Sequence, residues 1–114
     1  MSKVVIWHNP RCSKSRATLA LIEQRGIEPV IVPYLEQAPD AEELRRVLQL
    51  LGIEAADLIR RGEPSYKDLG LANASADELV AAMAAHPLLI ERPVVIHGDR
   101  AALGRPPEQV MEIL

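Results

Sequence analysis

Residues 4–24 have the sequence VVIWHNPRCSKSRATLALIEQ, and this stretch decides the fold. Its β-branched and aromatic start, closed by Asn9-Pro10, predicts a buried strand that ends in a turn. From Ser13 to Gln24 the pattern favours a helix whose start lies beside Cys12. The apolar positions of this helix are Leu19 and Ile22 on one face with Ala17 and Leu21 beside them, and Gly26 follows its end.

A second strand and a series of helices are predicted to follow. Val30-Ile31-Val32 predicts another buried strand, parallel to the first and reached by a right-handed crossover. Asp40 with Glu43 starts an amphipathic helix that stops at Gly52, and Ser75 with Glu78 starts another that ends near His86. Residues 55–71 predict short helical turns joined by loops. We therefore expect a helical insertion at about residues 40–87.

The last part of the chain predicts a hairpin and a final helix. Val94-Val95-Ile96 and Ala101-Ala102-Leu103 flank His97-Gly98-Asp99-Arg100, whose glycine and aspartate suit a tight reversal. A helix is expected to start at Pro106-Pro107. The element order, β-α-β, helical insertion, β-β-α, predicts an α/β protein with a mixed sheet and a thioredoxin-like (glutaredoxin-like) fold. With no repeat and no long linker, residues 1–114 are expected to form one domain.

The amino-acid composition and net charge argue against some classes of function. Hydrophobic residues make up 48% of the chain and charged residues 25%, as in ordinary globular proteins. A net charge of -3 argues against a nucleic-acid partner, since such proteins usually carry a basic patch. The sequence has no apolar run long enough to span a membrane and no export signal, so we expect a cytoplasmic protein. One cysteine forbids an internal disulfide, and redox chemistry then needs an external thiol.

Cys12 is the first candidate catalytic residue. A cysteine between a strand and a helix meets unpaired backbone N–H groups and the positive end of the helix dipole, both of which favour the thiolate. His8, Lys14 and Arg16 add positive charge nearby, and each is expected to lower the pKa of the thiol. The alternative is that Cys12 is an inert buried hydrophobe, that His8 is an ordinary loop residue and that the two cations are merely solvated.

Other side chains suit the binding of an oxyanion. Ser15 stands where a Cys-x-x-Cys motif would have its second cysteine, and it either donates a hydroxyl hydrogen bond or caps the helix. Arg60, Arg92 and Arg105 lie beside expected loops, and a guanidinium binds oxyanions through two hydrogen bonds, although any one of them can equally be a solvated surface residue. Arg92-Pro93 precedes a strand, where a cis bond is possible. The scattered histidines and the single cysteine predict no metal site.

The loop His8-Asn9-Pro10-Arg11-Cys12-Ser13-Lys14-Ser15-Arg16 closely resembles that of the glutaredoxin-coupled arsenate reductases. The resemblance covers essentially the whole chain and continues through Arg60, Tyr66 to Leu71, His86-Pro87, Arg92-Pro93 and Arg105-Pro106. It implies that Cys12 attacks arsenate, that Arg60, Arg92 and Arg105 bind the arsenate oxygens, and that His8 and Ser15 support the thiolate. It also implies reduction to arsenite by glutathione and glutaredoxin, with glutathione as co-substrate and no bound cofactor. We expect a monomer.

Two other functions remain open. A related branch contains regulators that bind RNA polymerase and respond to thiol stress through Cys-x-x-Cys, but this chain has serine at position 15. The same signature also occurs in reductase-like proteins that act on another substrate, because a shared fold does not determine activity.

Overall fold

A four-stranded mixed sheet forms the centre of the fold in the computed structural model, which describes residues 3–114. The strands are β1 (Val4–Trp7), β2 (Val30–Val32), β3 (Val94–His97) and β4 (Arg100–Leu103), in the order β2-β1-β3-β4. Strand β1 is parallel to β2 and antiparallel to β3, which pairs antiparallel with β4. The predicted mixed sheet and β-hairpin are therefore confirmed.

The chain divides into two compact units. The first comprises the residues up to Gln37 and from Arg92 to Leu114, and it contains the sheet, helix α1 (Ser13–Gln24) and a 3₁₀ helix (Pro107–Ile113). Helix α1 and this 3₁₀ helix pack on the sheet and bury a core of Val4, Ile6, Ile22, Val95, Val110 and Ile113. The first unit holds most of the candidate site residues.

The second unit, Ala38–Glu91, is helical and contains the predicted insertion. Its helices are α2 (Ala41–Leu51), α3 (Ala55–Leu58), α4 (Pro64–Asp68) and α5 (Ala76–Ala85), with 3₁₀ turns at Leu71–Asn73 and Pro87–Leu89. The side chain of Asp40 accepts a hydrogen bond from the N–H of Glu43, and Ser75 and Glu78 form a complete capping box. These local signals confirm the predicted helix starts. That residues 1–114 act as one domain stays a prediction.

Three expectations about the first unit are wrong. Strand β2 is not buried, because it lies at the edge of the sheet, and Val30 and Ile31 are 43% and 48% exposed. Ala17 is also exposed, and α1 instead buries Ser15, Thr18 and Ile22. The last helix is a 3₁₀ helix and not an α-helix, since the N–H of Gln109 donates to the carbonyl of Pro106, three residues earlier.

Burial of two hydroxyl residues on α1 is possible because both are hydrogen-bonded. The Thr18 hydroxyl donates to the carbonyl of Lys14 at 2.7 Å, one helical turn earlier. Ser15 Oγ is bonded outside the helix, to the loop after β1. The hydrophobic pattern of α1 is therefore incomplete as a guide to its buried face. No helix within residues 3–114 has the length and apolar character needed to cross a membrane.

Candidate active site

Cys12 is the N-cap residue of α1, and its backbone is extended, with φ -94° and ψ 123°. The turn before it is closed by the N–H of Cys12, which donates to the carbonyl of Asn9 at 3.0 Å. On the helix side, the carbonyl of Cys12 accepts from the N–H of Arg16 at 3.0 Å. The side chain is half-buried. This geometry places the sulfur at the start of the helix, where backbone N–H groups lack helical partners.

The thiol of Cys12 has a lowered pKa. Partial burial raises the pKa, but hydrogen bonds from the backbone N–H groups of Ser15 and Lys14, with the charge and hydrogen bond of Arg92, outweigh burial. Donors and positive charge both favour the charged form of a thiol. The lowered pKa favours the nucleophilic thiolate form of Cys12 and argues against the inert hydrophobe of the alternative interpretation. That Cys12 is catalytic stays a prediction.

Arg92 contacts the nucleophile from the segment that precedes β3. The peptide bonds Arg92-Pro93 and Arg105-Pro106 are both cis. The sequence had indicated a possible cis bond at the first of these two. Arg105 Nη1 donates to the carbonyl of Arg92 at 3.3 Å, and both arginines are half-buried. Two of the three predicted arginines thus lie together in the first unit, one of them hydrogen-bonded to Cys12.

Ser15 connects the loop to the helix through its hydroxyl group. Ser15 Oγ accepts from the N–H of Asn9 at 3.0 Å and lies 2.7 Å from His8 Nδ1. Ser15 does not cap the helix, because Cys12 occupies the N-cap position. Its backbone N–H, and not its hydroxyl, acts on Cys12.

His8 does not supply positive charge to the thiolate. Its pKa is lowered by burial and, to a smaller extent, by the charge of Arg16, so the imidazole is neutral at pH 7. The Ser15 hydroxyl accepts from Asn9, and in its contact with His8 Nδ1 the tautomer of the ring decides which group donates. We expect the tautomer that carries its proton on Nε2, in which Nδ1 accepts from the Ser15 hydroxyl. The expectation that a cationic His8 lowers the pKa of Cys12 is wrong, because tertiary burial keeps the ring neutral.

Lys14 and Arg16 also act differently from the expectation. Lys14 affects Cys12 through its backbone N–H, while its exposed side chain is not among the groups that shift the pKa of the thiol. Arg16 Nη1 donates to the carbonyl of Pro10 at 2.9 Å and so stabilises the loop. The influence of Arg16 on the site is exerted on His8.

Arg60 belongs to the second unit, where it forms an ion pair and hydrogen bonds. Its Nη1 lies 3.3 Å from Glu63 Oε1 and 3.2 Å from the carbonyl of Leu88, while its N–H donates to the carbonyl of Leu89 at 2.7 Å. Glu63 was not predicted as a functional residue, although its spacing of three residues from Arg60 is typical of an ion pair within one turn. A role for Arg60 toward an oxyanion stays a prediction.

No group of three or more His, Cys, Asp or Glu side chains within residues 3–114 has the arrangement of a metal site. The groups at the site are a thiolate, backbone N–H donors and guanidinium groups. A thiolate can attack an electrophile, and the donors can bind the oxygens of an anion. The arrangement suits covalent chemistry on an oxyanion.

Comparison with known proteins gives the family of this chain. The sequence matches the model of the ArsC family over residues 7–113. It is 50% identical to the uncharacterized protein YfgD of Escherichia coli, across 98% of this chain and 97% of that protein. It is 49% identical to an arsenate reductase of Haemophilus influenzae, across 97% and 98% of the two chains.

A solved structure, an arsenate reductase from Vibrio cholerae, superposes with a TM-score of 0.95. The two sequences are 54% identical, and the match covers 99% of this chain and 98% of the other. This similarity confirms the predicted thioredoxin-like fold. From the family match, the identities over nearly full length and the shared fold, we conclude that the chain belongs to the ArsC family.

Proposed function

We propose that this protein is an arsenate reductase that converts arsenate to arsenite, with the Cys12 thiolate as nucleophile. One observation carries the proposal: the N–H groups of Lys14 and Ser15 and the guanidinium of Arg92 converge on the thiol and lower its pKa. A relative that is 49% identical over nearly its full length is named arsenate reductase, which supports this substrate.

The groups around Cys12 suit both the thiolate and its substrate. Before the reaction, the backbone N–H groups and Arg92 stabilise the negative sulfur. When sulfur bonds to arsenic its charge is lost, and the same donors can turn to the arsenate oxygens. Arg105, through its hydrogen bond to the Arg92 carbonyl, keeps a second guanidinium beside the site. We assign Arg60 to the same oxyanion as the third arginine.

The electrons must come from outside the chain. Reduction of arsenate to arsenite takes two electrons, which the oxidation of two thiols to one disulfide supplies. The sequence contains one cysteine, so no disulfide can form within it.

We propose that Cys12 Sγ bonds to arsenic and that one arsenate oxygen leaves as water. Glutathione then displaces a second oxygen as water and bonds to arsenic through its sulfur. A glutaredoxin thiolate attacks that sulfur, so the glutathione–arsenic bond breaks, a glutathione–glutaredoxin disulfide forms and the electron pair stays on arsenic, now As(III). Water finally hydrolyses the bond between Cys12 and arsenic, which releases arsenite and restores the thiol. No bound cofactor is needed.

The test is arsenate-dependent oxidation of NADPH in the presence of glutathione, glutaredoxin and glutathione reductase. We expect turnover by the wild type and none by Cys12→Ser, because a serine hydroxyl is scarcely ionised at neutral pH. Ser13→Ala is the matched control, since Ser13 is an exposed neighbour in the same helix turn. Circular dichroism checks that each variant is folded.

Turnover by Cys12→Ser would contradict the proposed nucleophile. No turnover by the wild type would contradict the activity and favour another substrate. Co-purification of RNA polymerase with both the wild type and Cys12→Ser would favour the regulator. We further propose that the protein works as a cytoplasmic monomer without a membrane or nucleic-acid partner, which sedimentation and cell fractionation can test.

A further inference from the structure

The hydroxyl group of Thr18 lies on α1, one helical turn beyond the residues that contact Cys12. Thr18 is fully buried although its side chain is polar, and its hydroxyl donates to the carbonyl of Lys14 at 2.7 Å. In an α-helix this carbonyl also accepts from the backbone N–H four residues later, so the helix is complete without the hydroxyl. The hydroxyl is therefore a second donor to a carbonyl that already has its helical partner.

The carbonyl of Lys14 and the N–H of Ser15 belong to the same peptide group. Ser15 is the third residue after the N-cap residue Cys12, and the side chain of an N-cap residue ordinarily accepts from this N–H. The N–H of Ser15 donates to the sulfur of Cys12. One peptide group thus has the Thr18 hydroxyl at its oxygen and the reactive sulfur at its nitrogen.

A donor at the oxygen of a peptide group makes the N–H of that group a stronger donor. Chained hydrogen bonds polarise one another, and in the low dielectric of a protein interior this strengthens each bond by about 10–30%. Water competes little here, because Thr18 is fully buried and Cys12 is half-buried. A thiolate is a charged acceptor, so the bond that is strengthened is of the stronger, charge-assisted kind.

A close backbone approach fixes the position of the Thr18 side chain. A Cβ at Gly104 would collide with Thr18 Oγ1 and would lie 2.6 Å from Pro93 Cγ, so both side chains pack against bare backbone. The N–H of Gly104 donates to the carbonyl of Pro93 at 3.0 Å, directly after Arg92 in the chain. Thr18 therefore lies where α1 meets the segment that carries Arg92, another donor to Cys12.

We propose that Thr18 is a positioning residue for the reaction at Cys12: its hydroxyl directs and strengthens the N–H of Ser15 through the peptide group between them. In the free protein this N–H stabilises the thiolate. Its later use on an arsenate oxygen rests on the proposed function.

The charged groups near Cys12 act independently of the Thr18 hydroxyl. Arg92 acts on the sulfur from the segment before β3. His8 is neutral, and Arg16 donates to a carbonyl of the loop. A variant that removes the hydroxyl and keeps the shape of the side chain therefore changes one donor and leaves these charges in place.

The experiment measures the pH profile of Cys12 alkylation by iodoacetamide, without arsenate, in Thr18→Val and Thr18→Ser. Thr18→Val removes the hydroxyl and keeps the shape, whereas Thr18→Ser keeps the hydroxyl and removes the methyl group. Cys12 is the one cysteine of the sequence, so thiol alkylation reports on this residue alone. In Thr18→Val we expect the midpoint to rise by about 0.3 pH unit, which is about a twofold loss of rate below the midpoint. In Thr18→Ser it should stay at the wild-type value.

Urea unfolding of the same variants separates this role from packing. The methyl group packs beside Gly104 and Pro93, so Thr18→Ser should lose stability while its pH profile is unchanged. Thr18→Ala and Thr18→Ser form a second matched pair, because both lack the methyl group and they differ only in the hydroxyl. The pH profile of Thr18→Ala should follow that of Thr18→Val.

A higher midpoint in the two variants without a hydroxyl would support the proposal even if the wild type did not reduce arsenate. In that case the proposed function alone fails. Normal arsenate turnover with an unchanged pH profile in Thr18→Val would overturn the role of Thr18 and leave the reductase intact. An equal rise in Thr18→Val and Thr18→Ser would also overturn it, because packing and not the hydroxyl would then set the profile.

Discussion

The hydroxyl group of Ser15 provides the sharpest test of the site's architecture, through Ser15→Ala. Ser15 is fully buried, and its Oγ accepts from Asn9 N–H at 3.0 Å and contacts His8 Nδ1 at 2.7 Å. Each lost hydrogen bond costs about 1 kcal/mol, and leaving the partly buried N–H of Asn9 without an acceptor adds about 1 kcal/mol. Alanine is the better helix former, which returns roughly 0.5 kcal/mol. The net loss of unfolding free energy is therefore about 2–2.5 kcal/mol.

Urea unfolding followed by circular dichroism measures this loss. With an m value of about 2 kcal/mol/M, the midpoint should fall by about 1 M. Ser13→Ala in the same helix turn has the same gain in helix propensity but exposes no buried group, so its midpoint should stay within a few tenths of a molar of the wild type. Equal midpoints for the two variants would refute the hydrogen-bond assignment.

The same variant has a second readout at His8. In the wild type, imidazole nitrogen shifts should show Nδ1 without a proton and Nε2 with one. In Ser15→Ala the donor to Nδ1 is gone, and both tautomers should be populated. A protonated Nδ1 in the wild type would refute the assignment of Ser15 as the hydrogen-bond donor to His8, because Nδ1 would then be the donor.

Two further predictions concern the charge at Cys12 and a close approach of the backbone. Arg92→Gln removes a charge and a hydrogen bond that lower the pKa of Cys12, so this pKa should rise. The pH profile of Cys12 alkylation by iodoacetamide should then move to higher pH. The control Arg100→Gln, at an exposed position, should leave the profile unchanged. Gly104→Ala would bring a Cβ to 2.6 Å from Pro93 Cγ, so we expect a loss of about 2–3 kcal/mol in urea unfolding. Gly62→Ala, with open space around it, is the control, and equal stability of the two variants would count against the packing.

The parts of the fold that depend on local chemistry were predictable from sequence. Helix α1 begins and ends at the predicted residues, and Asp40 and Ser75 cap the helices that they were expected to start. Such signals involve neighbours within one turn, so they need no knowledge of the tertiary structure. The burial of β2 was not predictable, because an apolar run looks the same at the edge of a sheet as at its centre.

The candidate site was predicted in its residues but not in all of their roles. Cys12 at a helix start is a local feature, and its lowered pKa follows from it. The neutral state of His8 depends on burial and on Arg16, and the inward direction of the Ser15 hydroxyl depends on packing against the loop. Arg92 is eighty residues from Cys12, a contact that only the resemblance, and not periodicity, could anticipate.

The exposed edge strand β2 has a consequence for how this protein behaves in a crowded solution. Pro29 and Pro33 lie directly before and after the strand, and neither can donate a backbone hydrogen bond. A strand from another chain could therefore extend the ladder over three residues at most before a proline interrupts it. Sheet-to-sheet polymerisation needs longer continuous edges. The two prolines thus let the protein expose the apolar side chains of Val30 and Ile31 without offering a template for fibril growth.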